Sequence, residues 1–379
     1  MEHKMKIGII CYPTYGGSGV VASELGKNLA SLGYEIHIIS YKVPFRIENE
    51  FLDKIYFHEV KMFDYPLFEN PPYTVAISTT ITEVIKQYDL DILHAHYAVP
   101  HTMAAYLAKK MARKDDLKII TTLHGTDITL VGKDPAYFSA VKFSIEESDA
   151  VTAVSDWLKN ETIKLFKVNK DIRTIYNFVD TDKFKKNLSE KCREKIAKTD
   201  EKIVMHISNF RPVKRVQDVI YTFSEIIKHI PAKLVMVGDG PDRSLAFSLT
   251  TDLNIQDKVL FLGKQVNIEC VLPFADLLLL PSNFESFGLV ALEAMACEVP
   301  VIGTNGGGLP EVVIEGENGY LCNVGDYCEM AEKAVALLGN DDLYKKMSKK
   351  SRERAIEVFN QNKIVKQYMN LYNEVLAKY

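Results

Sequence analysis

The sequence predicts an α/β protein built from two doubly wound, Rossmann-like domains facing a central cleft. Three observations carry this. Short, β-branched apolar runs alternate with amphipathic stretches, the signature of parallel strands covered by helices on both faces. The alternation restarts after a Lys- and Glu-rich stretch, Lys183–Lys202, that reads as a solvated connector. The 379 residues exceed one ordinary domain, and 47% of them are apolar, enough for two cores.

In the first half, strand Lys6–Cys11 leads through a glycine turn into helix Val20–Ser31 and strand Glu35–Ser40. Helix Thr80–Gln87, strand Ile92–Ala95, helix Thr102–Ala112, strand Lys118–Leu123, helix Pro135–Glu147 and strand Ala150–Ala153 follow. The second half opens with strand Lys202–Ile207, helix Val216–Ile230 and strand Lys233–Val237, which ends in the turn Gly238-Asp239-Gly240-Pro241. Strands Val259–Leu262, Leu277–Leu280 and Val299–Ile302 are interleaved with helices Ser244–Leu253, Ile268–Phe274 and Leu289–Cys297. Helices Tyr327–Leu338, Asp341–Phe359 and Lys363–Lys378 close the chain. The expected domains are 1–178 and 179–362. The apolar stripe Ile364, Tyr368, Leu371, Tyr372, Val375 predicts that 363–379 packs back on the first domain.

Composition excludes several partners. A net charge of -4, from 46 basic and 50 acidic side chains, argues against a nucleic-acid surface. No window approaches a membrane span, and the apolar run Ile7–Cys11 reads as a strand, too short for a secretory signal. The six cysteines are scattered, with no C-x-x-C pair, so each is expected to be a small buried hydrophobe in a reducing cytoplasm. The sequence leaves the oligomeric state open, a homo-oligomer included.

Gly16-Gly17-Ser18-Gly19 follows the first strand and opens a helix, so its amides can face an anion. Gly17-x-Gly19-x-x-Ala22 satisfies a loose dinucleotide fingerprint, but that reading needs an acid at the end of the second strand. Ile39-Ser40-Tyr41-Lys42 offers none. The turn therefore reads as an anion- or substrate-binding loop, with a purely structural turn as the alternative.

The most informative block is Pro281-Ser282-Asn283-Phe284-Glu285-Ser286-Phe287-Gly288-Leu289, running on through Glu293. It follows a strand, and Gly306-Gly307-Gly308 opens another helix beyond it. Along a continuous helix, Glu285 and Glu293 would stand about 12 Å apart. Glycosidase carboxyl pairs lie roughly 5–9.5 Å apart, so this pair suits two ends of one long ligand better than one scissile bond. His94, His96 and His101 invite a metal reading, yet no acid lies in the run, and a hydrogen-bonded strand end is the better expectation.

This block resembles the E-x7-E motif of the retaining glycosyltransferases of family 4, which have the GT-B fold. The similarity extends through Leu123-His124-Gly125-Thr126-Asp127 and Gly238–Pro241. The resemblance implies that Glu285 contacts the donor sugar, that Glu293 holds the nucleotide ribose and that His124 bonds to the sugar. It also implies that no metal or other cofactor is needed. Lys214 matches the family lysine, but Asn209 stands at the usual arginine position, Arg211 is displaced by two residues, and Arg215 occupies a usual glycine position. Arg211 and Lys214 are therefore the expected cations for the diphosphate. Gly17, Ser18, Asn209, Ser286, Phe287, Gly288 and Leu289 are further expected donor contacts.

A finer resemblance, carried by Cys11-Tyr12-Pro13, His94–His101 and Ser208–Arg215, is to the N-acetylglucosaminyltransferases that use L-malate in bacillithiol biosynthesis. It implies UDP-N-acetylglucosamine and L-malate as substrates, with Ser18, Tyr97 and Thr122 as acceptor ligands. The competing readings are a family 4 enzyme with another acceptor, a UDP-N-acetylglucosamine 2-epimerase and a non-catalytic nucleotide-sugar sensor.

Overall fold

The computed structural model describes residues 4–14, 16–44, 46–47, 53–186 and 193–377. Cys192, Lys378 and part of the connector lie outside them. The chain divides into two compact units: Met1–Tyr176 with Ile364–Tyr379, and Asn177–Lys363.

The first unit carries a seven-stranded sheet in the order β3-β2-β1-β4-β5-β6-β7. These strands are β1 (Lys6–Ile10), β2 (Glu35–Ser40), β3 (Ile55–Glu59), β4 (Ile92–His96), β5 (Lys118–Leu123), β6 (Ala150–Ala153) and β7 (Ile172–Thr174). Every pairing is parallel. The second unit has six parallel strands, β10-β9-β8-β11-β12-β13. They are β8 (Lys202–Ser208), β9 (Ala232–Gly238), β10 (Val259–Gly263), β11 (Leu277–Leu280), β12 (Val301–Thr304) and β13 (Gly319–Cys322). Strand order reverses between β1 and β4 and again between β8 and β11. Ligand sites in such sheets form at the carboxyl ends of the strands flanking the reversal.

The interior strands are fully buried; β11 reads as an unbroken leucine run, whereas β4 and β5 also bury His94, His96, Thr121 and Thr122. Helix Val216–Ile226 sets Val219, Ile220 and Phe223 into a core with Leu234, Met236 and Leu277. The closing helix, Gln361–Leu376, belongs to the first unit from Ile364 on. Its Tyr372 hydroxyl lies 2.8 Å from His94 Nδ1, and Glu374 pairs with Arg173 at 2.8 Å.

Several elements differ from the sequence expectation. Strand β3 is an edge strand with Tyr56 exposed, so it lacks a continuous apolar run. Helix Asp156–Phe166 is absent from the sequence expectation, although Ser155 caps it by accepting from the Leu158 amide at 3.1 Å. Helix Tyr73–Tyr88 starts seven residues before the expected Thr80. Ile268–Phe274 is two 3₁₀ turns rather than a helix, because Pro273 offers no amide to a longer one. Cys11, Cys297 and Cys322 are buried, but Cys270 and Cys328 are exposed. Among the described residues no helix is long and apolar enough to cross a membrane.

Candidate active site

In the first unit, helix Gly17–Ser31 begins directly at the glycine turn, three residues earlier than expected. The Gly19 and Val20 amides donate to the Gly16 carbonyl, so those of Gly17 and Ser18 are the helix-start donors without a partner inside the helix. No acidic side chain occupies the first turn. Gly19 is required sterically: a Cβ there would sit 2.5 Å from the Thr14 carbonyl oxygen. Ser40 stands where a dinucleotide site needs an acid, and its hydroxyl is bonded to the Cys11 carbonyl. An anion, rather than a ribose diol, suits this turn.

Strands β4 and β5 end beside it. Their register pairs His96 with Thr122, which sets His124 just beyond the strand end. His96 Nδ1 lies 2.8 Å from His124 Nε2. Tyr97 has φ +99°, a strained conformation for an aromatic residue. Its ring packs against those of Tyr12, His101 and His124. Asp127 holds this corner together: its carboxylate accepts from the amides of Ala98, His124 and Gly125 at 3.0–3.3 Å. Burial pushes the Asp127 carboxyl up to about 6, against the pull of those amides. Burial, with His101 nearby, pushes His124 down to about 3, so its imidazole is neutral at physiological pH.

Of the expected acceptor ligands, Ser18 sits at the helix start and Tyr97 at the strand end. Thr122 differs. It is fully buried, and its hydroxyl is engaged by His94 Nε2 and by Thr152, both at 2.7 Å. Thr122 thus supports the histidines from behind. Tyr12, part of the Cys11-Tyr12-Pro13 block but not among the expected ligands, has its ring centroid 4.4 Å from that of His101. Among the described residues no group of three or more His, Cys, Asp or Glu is arranged to hold a metal ion.

In the second unit, the loop after β8 is anchored by Phe210, fully buried at φ +38°. The glycine turn after β9 lies flat against this loop: a Cβ on Gly240 would meet the Asn209 carbonyl oxygen at 2.0 Å. Asn209 and Arg211 are exposed, and among the described residues Arg211 has no ion-pair partner. Lys214 Nζ donates to Glu285 Oε1 at 2.7 Å, and the Ser282 hydroxyl donates to the same oxygen at 2.7 Å. The Glu285 backbone is bridged to the glycine loop: its amide donates to Gly306, and the Gly308 amide donates to its carbonyl at 2.6 Å. Ser286 and Phe287 follow, and Gly288, at φ +96°, precedes helix Leu289–Ala296.

The spacing estimate for the two glutamates needs correction. Glu285 lies in an extended segment and only Glu293 is helical, so the rise per residue of a helix does not apply between them. Glu293 lies in the second turn of its helix and is 4% exposed.

Arg215 has φ +49°, the left-handed conformation that favours glycine. Its side chain is held by Asp218 at 2.6 Å and, at 3.4 Å, by Asn283. Arg215→Ala and Arg215→Gly both lose these contacts, but only glycine relieves the backbone. The glycine variant is expected to be more stable than the alanine variant by about 1 kcal/mol in urea unfolding. Equal midpoints would contradict this.

Comparisons with known proteins identify the family. The family described as Glycosyltransferase Family 4 matches residues 15–183, and that described as Glycosyl transferases group 1 matches residues 189–354. The N-acetyl-alpha-D-glucosaminyl L-malate synthase of Bacillus anthracis is 52% identical over 374 residues, 98% of each chain. A glycosyltransferase from Rickettsia africae superposes with a TM-score of 0.81 at 25% identity, covering 100% of both chains. Anabaena HepE in complex with UDP and glucose gives 0.82 at 20% identity over 97% of this chain and 99% of that one, a likeness of fold alone. With parallel Rossmann-like sheets in both units and a relative this similar along its whole length, the chain belongs to the GT-B glycosyltransferases of family 4 and is a hexosyltransferase.

Proposed function

We propose that this enzyme transfers N-acetylglucosamine from UDP-N-acetylglucosamine to the hydroxyl of L-malate with retention, giving the α-linked product and UDP. The observation that carries this reading is the 52% identity to the Bacillus anthracis synthase over 98% of both chains. The product would then feed bacillithiol formation in the cytoplasm.

The residues can be given roles on that basis. In the first unit, the Gly17 and Ser18 amides and the Ser18 hydroxyl offer donors to a malate carboxylate, with Tyr97 beside them. In the second unit, Glu285 contacts the donor sugar, and Glu293 and the segment Ser286–Leu289 hold the nucleoside. Arg211, free of ion pairs among the described residues, and Lys214 neutralise the diphosphate, with Asn209 at the loop edge. The reaction is a front-face displacement: the malate oxygen bonds to the anomeric carbon as the bond to UDP breaks. The departing phosphate oxygen takes the malate proton. The protein positions both partners and stabilises developing charge.

Incubation with UDP-N-acetylglucosamine, with and without L-malate, tests this by UDP release and by the anomeric signal of the product. Release should depend on malate and persist in excess chelator, because side chains and amides replace a metal. Malate-independent UDP release, an epimerised sugar, or binding without turnover would each select a rival reading. Loss on chelation that a divalent cation restores would end the metal-free mechanism.

The two glutamates should fail differently. A contact that strengthens in the transition state affects kcat, whereas one equal in both states affects KM. Glu285→Gln is expected to lower kcat, and Glu293→Gln to raise the donor KM. Each lost charged hydrogen bond should cost roughly 1.5–3 kcal/mol, about ten- to hundred-fold. Steady-state kinetics at saturating malate separate the two, and identical kcat losses with unchanged KM would remove the division.

A further inference from the structure

We infer that His96 fixes the tautomer of His124, so that His124 turns Nδ1–H outward as a hydrogen-bond donor. This rests on the reading that His124 faces the transferred sugar. It has a chemical consequence: His124 cannot be the base that deprotonates the acceptor hydroxyl.

The argument starts from the contact between the two rings. His96 Nδ1 and His124 Nε2 are 2.8 Å apart, with ring centroids 5.1 Å apart and planes 23° from parallel. Those values describe an edge-to-edge hydrogen bond lying close to both ring planes. Burial keeps both rings neutral, with His96 held well below the ordinary histidine range. A single proton therefore lies between the two nitrogens, and one ring donates while the other accepts.

The far side of His96 decides which. Its Nε2 is buried and has no hydrogen-bond partner among the described residues. If His96 accepted from His124, its own proton would sit on that Nε2 as a buried, unsatisfied donor. If His96 donates instead, Nε2 carries only a lone pair, and orphaned acceptors are tolerated more often than orphaned N–H groups. His101 shows the same choice made without ambiguity. Its Nδ1 lies 2.6 Å from the His96 carbonyl, which can only accept, so His101 is protonated at Nδ1 and leaves an unpartnered lone pair on a buried Nε2. The cluster already tolerates this arrangement one ring away.

His96 is then the Nδ1–H tautomer and donates to His124 Nε2. The neutral His124 must carry its proton on Nδ1, which has no partner among the described residues. His94 is tied by Tyr372 and Thr122 on its two nitrogens, and His96 and His101 are fully buried. His124 is the one ring of this group with partial exposure. It can offer a donor to a sugar hydroxyl or a phosphate oxygen, but at that nitrogen it has no lone pair for a proton. His96 acts through His124 and is a positioning residue.

Nitrogen NMR of the full-length protein labelled in histidine reads the tautomer directly, because protonated and unprotonated ring nitrogens differ widely in shift. The His124 ring should show a protonated Nδ1 and an unprotonated Nε2 between pH 6 and 8. A protonated Nε2 would overturn the inference. Two nearly isosteric variants extend the test: His96→Asn can still donate from its amide, whereas His96→Asp can only accept. The asparagine variant should keep the wild-type His124 signature and kcat within a few-fold. The aspartate variant should move the His124 proton to Nε2 and lower kcat about ten- to hundred-fold. An unchanged signature in a folded aspartate variant would also overturn the inference. Addition of UDP-N-acetylglucosamine separates this from the site reading. A His124 Nδ1–H signal that is present but does not respond to the donor would leave the tautomer standing and remove the sugar contact.

Discussion

Gly307→Ala is expected to lower kcat/KM by at least about a hundred-fold while leaving the first unit folded. Gly307 has φ +80°, and a Cβ there would stand 2.1 Å from the Glu285 carbonyl oxygen and 2.9 Å from its amide nitrogen. The obstructing atoms are backbone, so no rotamer change relieves the clash. The Glu285 segment must move by roughly an ångström, and a displacement of that size near reacting atoms costs about hundred-fold in rate. The bond from the Gly308 amide to the Glu285 carbonyl would break with it. Gly316→Ala provides the control. Its φ is +74°, so the backbone strain is alike, but nothing lies within 4 Å of the added methyl. That variant should lose about 1 kcal/mol of stability and keep its activity. Steady-state kinetics on both, with unfolding curves, decide the matter. Equal activity losses would show that strain, rather than the position of Glu285, is what Gly307 controls.

The same loop shows what a sequence can disclose about such a site. Strand β11 reads Leu277-Leu278-Leu279-Leu280, and a four-residue run buried on both faces needs no alternation to be recognised. Strand β3 is exposed along one edge, and its mixed pattern gave no period to detect. Glu285 and Glu293 stood out by their motif, but their separation was not legible, because it depends on where the helix begins. Gly288 delays that start to Leu289. The sequence points to both Lys214 and Glu285, yet not to their pairing. Seventy-one positions separate them, and their contact exists because β8 and β11 are neighbours in the sheet. His96 and His124 meet by similar logic, since the β4–β5 register brings them together across 28 positions. Thr122 shows the limit in the other direction. A hydroxyl near a strand end looks like a ligand until its partners, His94 and Thr152, are seen to occupy it.

The buried histidines also govern the acid stability of the first unit, which is expected to unfold well before the second as pH falls from 7.5 to 5. Burial lowers His94 and His124 to about 3 and His58 and His101 to about 4, with His37 and His96 shifted the same way. In the unfolded chain these groups titrate near 6.5. Between about pH 6.5 and the lowered values the unfolded state therefore binds more protons than the native state, and stability drops as pH drops. For a fully buried ring such as His94, about 1.4 kcal/mol per pH unit gives about 2 kcal/mol lost at pH 5. The rings touch, so their losses do not simply add, but a total of several kcal/mol is a large share of a typical 5–15. Asp127 opposes this: raised to about 6, it binds its proton more tightly in the native state and contributes stability as pH falls towards 4. One opposing carboxyl does not offset six histidines. In the second unit His206 is lowered in this way, to about 4. The single tryptophan, Trp157, lies in helix Asp156–Phe166 of the first unit, so its fluorescence reports that unit alone. On acidification its urea midpoint should move to lower denaturant, leaving a second, later transition in far-UV circular dichroism. A Trp157 midpoint unchanged between pH 7.5 and 5 would mean that these histidines are not held neutral by the fold.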